Sequence, residues 1–191
     1  VAMAVGFQRD NVELQFVENY AWIPSFGINF SLGVDAIALV LILMSVILAP
    51  IVVLAGWDEA HGGRWSVKTF YILILVLETM MIGVFAATDL FLFYVIFEAM
   101  LIPVYFLIGG YGTGERAAAA VKFLLYSLFG GLMMLASIIA LYVMSGAQGG
   151  HTFDIDKLAQ LEMSSTTQNL LFLGFFIAFA IKAPLWPFHT W

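Results

Sequence analysis

A carboxylate and an ammonium stand deep inside two apolar runs of this 191-residue chain. Glu98 lies in the run from Phe91 to Gly110, and Lys182 in the run from Ala178 to Trp191. Charges near the middle of a bilayer are expensive to keep, and where they persist they mark ion paths, proton relays or counter-ion pairs. These two residue types, so placed, point to proton exchange and transport rather than to anchoring. The sequence around each sharpens the point. Pro103, five residues after Glu98, cannot donate to the carbonyl of Ala99, which leaves an acceptor one residue from the carboxylate. Tyr94 and Tyr105 share its helix face and make a polar stripe on an apolar helix. The plainer alternative is a protonated acid that merely hydrogen-bonds a neighbouring helix.

Around Lys182 the backbone is expected to open. Pro184 frees the carbonyl of Ala180, and Pro187 frees that of Ala183. Irregular backbone at membrane depth is tolerated where it lines a wet cavity or is buried in protein. A lysine in such a break can exchange a proton when a nearby carboxylate comes or goes. The alternative is a lysine that snorkels to the interface, against which stand the apolar residues on both sides. Three further residues are relay candidates. Glu78 is central in its own apolar run, Lys122 sits about one turn inside the fourth apolar run, and His189 follows the break. Lys122 reads equally well as a snorkelling side chain, and His189 as a polar contact at a helix end.

Those residues need helices to hold them, and the composition says what kind. The chain is 63% hydrophobic and 10% charged, with a mean hydropathy of +1.01. Soluble domains carry about 25% charged and about 45–50% apolar residues. There is too little polar material to cover a soluble core, so the chain reads as an all-α, polytopic bundle in a lipid bilayer. With about 20 residues required per span, apolar segments fall at about 34–56, 69–88, 90–110, 118–145 and 169–191. Residues 1–32 are expected to be an extramembrane segment of extended or turn structure, since Pro24 and two glycines break any helix. Residues 152–160 read as a short capped surface helix. Short loops bearing Arg64, Lys68 and Arg116 balance longer acidic ones bearing Arg9 and Lys157. The positive-inside rule therefore puts 57–68 and 111–117 in the cytoplasm and 1–32 on the periplasmic side.

Other chemistries find no support. Cysteine is absent, which removes disulfides, iron–sulfur ligation and zinc thiolates. His61, His151 and His189 have no metal-ligand spacing. There is no Gly-rich phosphate loop, and no basic run points to nucleic acid. No cofactor and no metal is expected on this chain. The net charge of −6 comes mostly from acids in the two longer loops, a solvated surface. Trp191 ends inside an apolar segment, where unsatisfied carbonyls are costly. The sequence is therefore expected to be a piece of a longer protein.

With these residues in view, the chain closely resembles the M-type antiporter-like subunits of respiratory complex I (subunit 4 in mitochondrial naming). The likeness is carried by Glu98 with the following Ala-Met-Leu-Ile-Pro-Val-Tyr-Phe-Leu-Ile-Gly, and by Gly174 to Trp191 with Ile-Lys-Ala-Pro-Leu-Trp-Pro-Phe-His-Thr-Trp. The stretches Trp22 to Gly27 and Leu32 to Asp35 add to it. The resemblance implies an antiporter-like fold of inverted five-helix repeats, of which about helices three to seven are present, the last one broken. It implies that Glu98 and Lys182 form the input-side proton site of a proton-translocating, non-redox subunit of NADH–quinone oxidoreductase. NADH, FMN, iron–sulfur clusters and quinone would then sit in other subunits. The implied partners are other antiporter-like and membrane-arm subunits, the lipid bilayer and, where one forms, a respiratory supercomplex. The implied location is a bacterial inner membrane rather than a mitochondrial one. A subunit of a multisubunit sodium/proton antiporter is the alternative, and Leu101-Ile102-Pro103 after Glu98-Ala-Met favours the first reading. A purely structural scaffold is disfavoured by the central acid and base.

Overall fold

Helix starts in this chain are set by side chains that accept the first free backbone N–H groups. In the computed structural model, which describes residues 2–8, 11 and 13–191, five helices begin this way. Asp35 opens α2 (Ala36–Ala55), Ser66 opens α3 (Val67–Ala86) and Asp89 opens α4 (Leu90–Ala99). Asp154 opens α7 (Ile155–Ala159), and Ser164 opens α8 (Ser165–Lys182). Each satisfies N–H groups that a helix cannot satisfy internally. A short α1 (Ala2–Gly6) precedes them, and α5 (Leu101–Tyr111) and α6 (Arg116–Gly146) complete the set. Arg9, used above in the orientation argument, lies outside the described residues.

Among the described residues, five spans of 18 to 31 residues are long and apolar enough to cross a membrane, with α4 and α5 together making one of them. The extended reading of the N-terminal segment holds for a hairpin, and the helix α1 (Ala2–Gly6) at its start departs from it, because Gly6 ends that short helix rather than preventing it. β1 (Gln15–Ile23) pairs antiparallel with β2 (Ile28–Val34) around a turn at Pro24–Phe26. Gly27 closes that turn at φ 68, a conformation glycine adopts without steric cost.

The hairpin is sewn to the helices through the two-residue link between α3 and α4. Thr88 donates its N–H to Ser31 at 3.0 Å and its hydroxyl to the Ser31 Oγ at 2.7 Å. Leu90 donates to Phe153 at 2.7 Å, and Ile155 to Thr88 at 3.1 Å. Chain 31–32, link 87–89 and chain 153–155 therefore run side by side like strands. Phe153 stacks on Tyr142 of α6 at 4.4 Å and packs with Ile28, Phe97, Met134, Ile138 and Ala178. One end of the bundle is thus closed by a polar-backboned, apolar-bottomed cap. At the opposite end Trp65 packs edge-on against Phe106 and Tyr111, and Arg64 donates its N–H to Gly110 at 2.7 Å.

Asp89 is the knot of the cap and is only 2% exposed. Its Oδ1 accepts from Phe91 and Leu92 at 2.9 and 3.0 Å, and its Oδ2 accepts from Asn29 at 3.0 Å. Burial pushes its carboxyl above the ordinary range, the three N–H groups pull it back, and the charge of Asp154 pushes it up further. A carboxyl raised in the fold contributes stability below its unfolded pKa of about 4, and loses it as pH rises through the folded value. Asp89→Ala, which orphans these N–H groups, is expected to cost about 1–3 kcal/mol. Thermal unfolding in detergent reads both effects. The variant should melt lower, and its melting temperature should lose the decline above pH 4 that Asp89 gives the native chain. Unchanged melting would remove Asp89 from this role.

Candidate functional site

The site forms where three helices meet at the middle of the bundle. Gly131 is the sixteenth of the 31 residues of α6, and Glu98 is the ninth of the 22 in the span Leu90–Tyr111. At the usual 1.5 Å rise, each is more than about 10 Å from its helix start. The Glu98 carboxylate lies directly on the bare backbone of Gly131, so close that a methyl group there would overlap both of its oxygens. The neighbouring Gly130 faces α8 instead, where a Cβ would meet Ala178 and Ile181. Small residues let membrane helices approach backbone to backbone. Ser127 and Gly131 have the spacing of a helix-packing pair, but the contact is divided differently. Gly130 receives α8, and Gly131 receives the acid.

Pro103 is buried, and the helix breaks just before it. α4 ends at Ala99 and α5 restarts at Leu101, with Met100 between them. Without an N–H from Pro103 the ladder loses the bond to Ala99, which is where the interruption falls. Glu98 is therefore the second-last residue of α4, and Lys182 is the last of α8. Acid and base both project from helix ends.

Lys182 crosses from α8 to α4. Its Nζ is 3.4 Å from the carbonyl of Phe97 and 4.4 Å from the centre of the Phe97 ring. Phe93 stacks on Phe97 at 5.7 Å, and Phe179 meets Phe97 edge-on at 5.7 Å, so aromatic rings wall the ammonium. A cation over a ring face gains about 2 kcal/mol when desolvated. Lys182 and Glu98 act on each other electrostatically. Among the described residues no ion pair closes to 4.0 Å, and Glu98 Oε1 is buried without a hydrogen-bond partner. The acid and base are held near each other and apart.

Beyond Lys182 the chain folds back on α6. The carbonyl of Ala180, which Pro184 frees, accepts from Leu185 at 2.8 Å, so it is not an open acceptor as the sequence suggests. The carbonyl of Ile181 accepts the Trp191 indole at 2.8 Å. The Trp186–Pro187 peptide is cis. Lys122 donates to the carbonyl of Thr190 at 2.6 Å, next to the exposed His189, while the Thr190 hydroxyl meets that of Tyr126 at 3.4 Å. Lys122 is exposed and tied to the returning chain rather than to Glu98. Glu78 is half-buried on α3 and makes no hydrogen bond to Glu98 or Lys182. Of the five titratable candidates, the structure brings Glu98 and Lys182 together, sets Lys122 beside the segment of His189, and leaves Glu78 by itself. Sequence reasoning missed the burial of Asp89, although an acid just before an apolar helix is an N-cap signal.

Glu98 and Lys182 thus stand at two interrupted helix ends inside a bundle of membrane-length helices. Residues 87–191, more than half the chain, match the family described as NADH:quinone oxidoreductase/Mrp antiporter, TM, and the chain belongs to that family. Over 100% of its length it is similar to NADH-quinone oxidoreductase subunit M of Mycobacterium tuberculosis, at 43% identity, and spans 40% of that relative. It is 33% identical to a chain of respiratory complex I from Thermus thermophilus with bound NADH, with a TM-score of 0.76, covering 92% of this chain and 35% of that one. It also superposes on the Mrp complex of a Dietzia species with a TM-score of 0.81 at 21% identity, covering 92% and 19%, a likeness of fold alone.

The contact between Gly131 and the acid can be tested by a double-mutant cycle. Gly131→Ala should cost about 1–3 kcal/mol by overpacking, partly offset by better helix propensity. In a Glu98→Ala background that cost should vanish. Gly109→Ala, whose methyl would meet Ala120 at an ordinary 3.5 Å, serves as the neutral control. Equal costs in both backgrounds, read by thermal unfolding in detergent, would show that Gly131 does not seat Glu98.

Proposed function

We propose that this chain is part of a proton-translocating membrane subunit of an NADH–quinone oxidoreductase, and that Glu98 and Lys182 are its proton-exchanging pair. The observation that carries the reading is the buried, unpartnered Glu98 Oε1 opposite the Lys182 ammonium, both at helix ends inside the bundle. Support comes from the 43% identity to an M subunit. The subunit is non-redox. NADH, FMN, iron–sulfur clusters and quinone belong to partner subunits, and the neighbouring antiporter-like subunits pack along the exposed helix faces. The closeness to a bacterial relative favours a bacterial inner membrane. A sodium/proton antiporter subunit remains the second reading, favoured by the fold match to an Mrp complex. The higher identity to oxidoreductase chains favours the first.

The pair acts by switching its own electrostatics. Opposite charges about 6 Å apart at an effective dielectric near 20 attract by roughly 3 kcal/mol, about two decades of proton affinity. Movement of either helix end, or arrival of a neighbouring charge, changes that coupling and releases or captures a proton. The ammonium meets an aromatic wall and one backbone carbonyl, and the acid lies on a bare glycine, so the partner charge is the strongest influence on each proton. Helix ends are suited to such motion, because a change there disturbs few backbone bonds.

Glu98→Gln keeps size and hydrogen bonding and removes the titratable proton. Assembly is expected to survive, and proton pumping in sealed vesicles to fall at least about ten-fold, as for loss of a general acid or base. Glu98→Asp should be partly active. Normal pumping by Glu98→Gln would reduce Glu98 to a packing residue. Co-purification with flavin and iron–sulfur proteins separates the oxidoreductase reading from the antiporter one.

A further inference from the structure

Hydroxyls inside the long helices of this chain close on their own backbone. Ser45 donates to Leu41 at 2.9 Å, Thr79 to Leu75 at 2.8 Å and Ser137 to Met133 at 3.3 Å, each four residues back. That is the ordinary resting place of such a hydroxyl. Ser127 departs from the pattern. It is 5% exposed, and its buried Oγ makes no hydrogen bond. Among the described residues two buried side-chain polar atoms lack a partner, and they are Ser127 Oγ and Glu98 Oε1. One belongs to α6 and the other packs against the same stripe of that helix. Ser127 stands one turn before Gly131, on the same face, and the Glu98 carboxylate covers Gly131.

Leaving a buried polar atom unpaired is costly, and two at one stripe can satisfy each other. We propose that Ser127 is a positioning residue for Glu98, its hydroxyl joined to Glu98 Oε1 through one bound water. This rests on the proton-exchange reading of Glu98. A buried water needs at least two polar partners, and these two atoms supply them. The chemistry suits an acid that changes state. Through the water, a hydroxyl can donate towards an ionised carboxylate and accept from a protonated one, without titrating itself. The charged and titratable groups that face Glu98 are Lys182 from α8 and Tyr94 from its own helix. Ser127 adds a third side, from α6, and holds the acid in one orientation through both protonation states.

The test uses the full-length protein assembled in its complex, in sealed vesicles. Infrared difference spectra identify the Glu98 carboxyl stretch as the band lost in Glu98→Gln. Ser127→Ala is expected to move that band to higher frequency and to lower pumping about five-fold, the worth of one hydrogen bond. Ser127→Thr should restore both. An unmoved band overturns the proposal, whether or not pumping falls, because the hydroxyl then does not reach Glu98. If Ser127→Ala does not assemble, Ser127→Cys keeps the volume with a weak donor and should move the same band. Normal pumping by Glu98→Gln would instead sink the proton-exchange reading, while the band shift would still decide the link between the two residues.

Discussion

Two adjacent glycines at the midpoint of α6 are the constraint on which the arrangement depends. Membrane helices gain nothing from hydrophobic exclusion by each other, because lipid is as apolar as leucine, so close contact must come from packing and small residues. Gly130 lets Ala178 and Ile181 of α8 approach the α6 backbone, and Gly131 leaves a hollow that the Glu98 carboxylate fills. Lys182 follows Ile181 by one residue, so the contact that docks α8 also sets the ammonium beside α4. Filling either glycine with a side chain would move the acid or the base. Gly174, where a Cβ would run into Ser137, extends the same close seam along α8.

A second constraint follows from the cost of charge in a low dielectric. The ammonium is accommodated by a ring face and a backbone carbonyl, not by a direct ion pair. A closed ion pair would lock the proton on the ammonium and keep the carboxylate from taking one, whereas a pair held at electrostatic range stays responsive to a third charge. The breaks at Met100 and after Lys182 place both groups where the helical ladder is already interrupted. The cap formed by the hairpin, the 87–89 link and residues 151–155 then fixes the start of α4, because Asp89 ties the first turn of that helix to Asn29. Acid position, helix start and cap form one packed unit.

Much of this was legible in the sequence because a bilayer imposes simple rules. Length and apolarity gave five spans, and an acid and a lysine inside them stood out at once. The prolines located both interruptions. Other features depend on three-dimensional neighbours and could not be read. The carbonyl of Ala180 finds Leu185, because the chain turns back rather than continuing. Lys122 is captured by Thr190 only because that turn brings the segment onto α6. The division of labour between Gly130 and Gly131 turns on a rotation of about 100° between successive helix residues, and no pattern states which neighbour each one meets. The hairpin was visible only as extended chain, since its pairing partner was not marked by a strong alternation.

The central claim is that Lys182 must be able to lose its proton, and Lys182→Arg tests it most directly. Guanidinium keeps its charge at any working pH, so the variant preserves attraction to Glu98 while forbidding proton release. Proton pumping by the assembled complex in sealed vesicles is the measurement. The Lys182→Arg complex is expected to assemble with pumping abolished. Pumping at the native rate by Lys182→Arg would show that a fixed positive charge suffices, and would contradict the exchange mechanism.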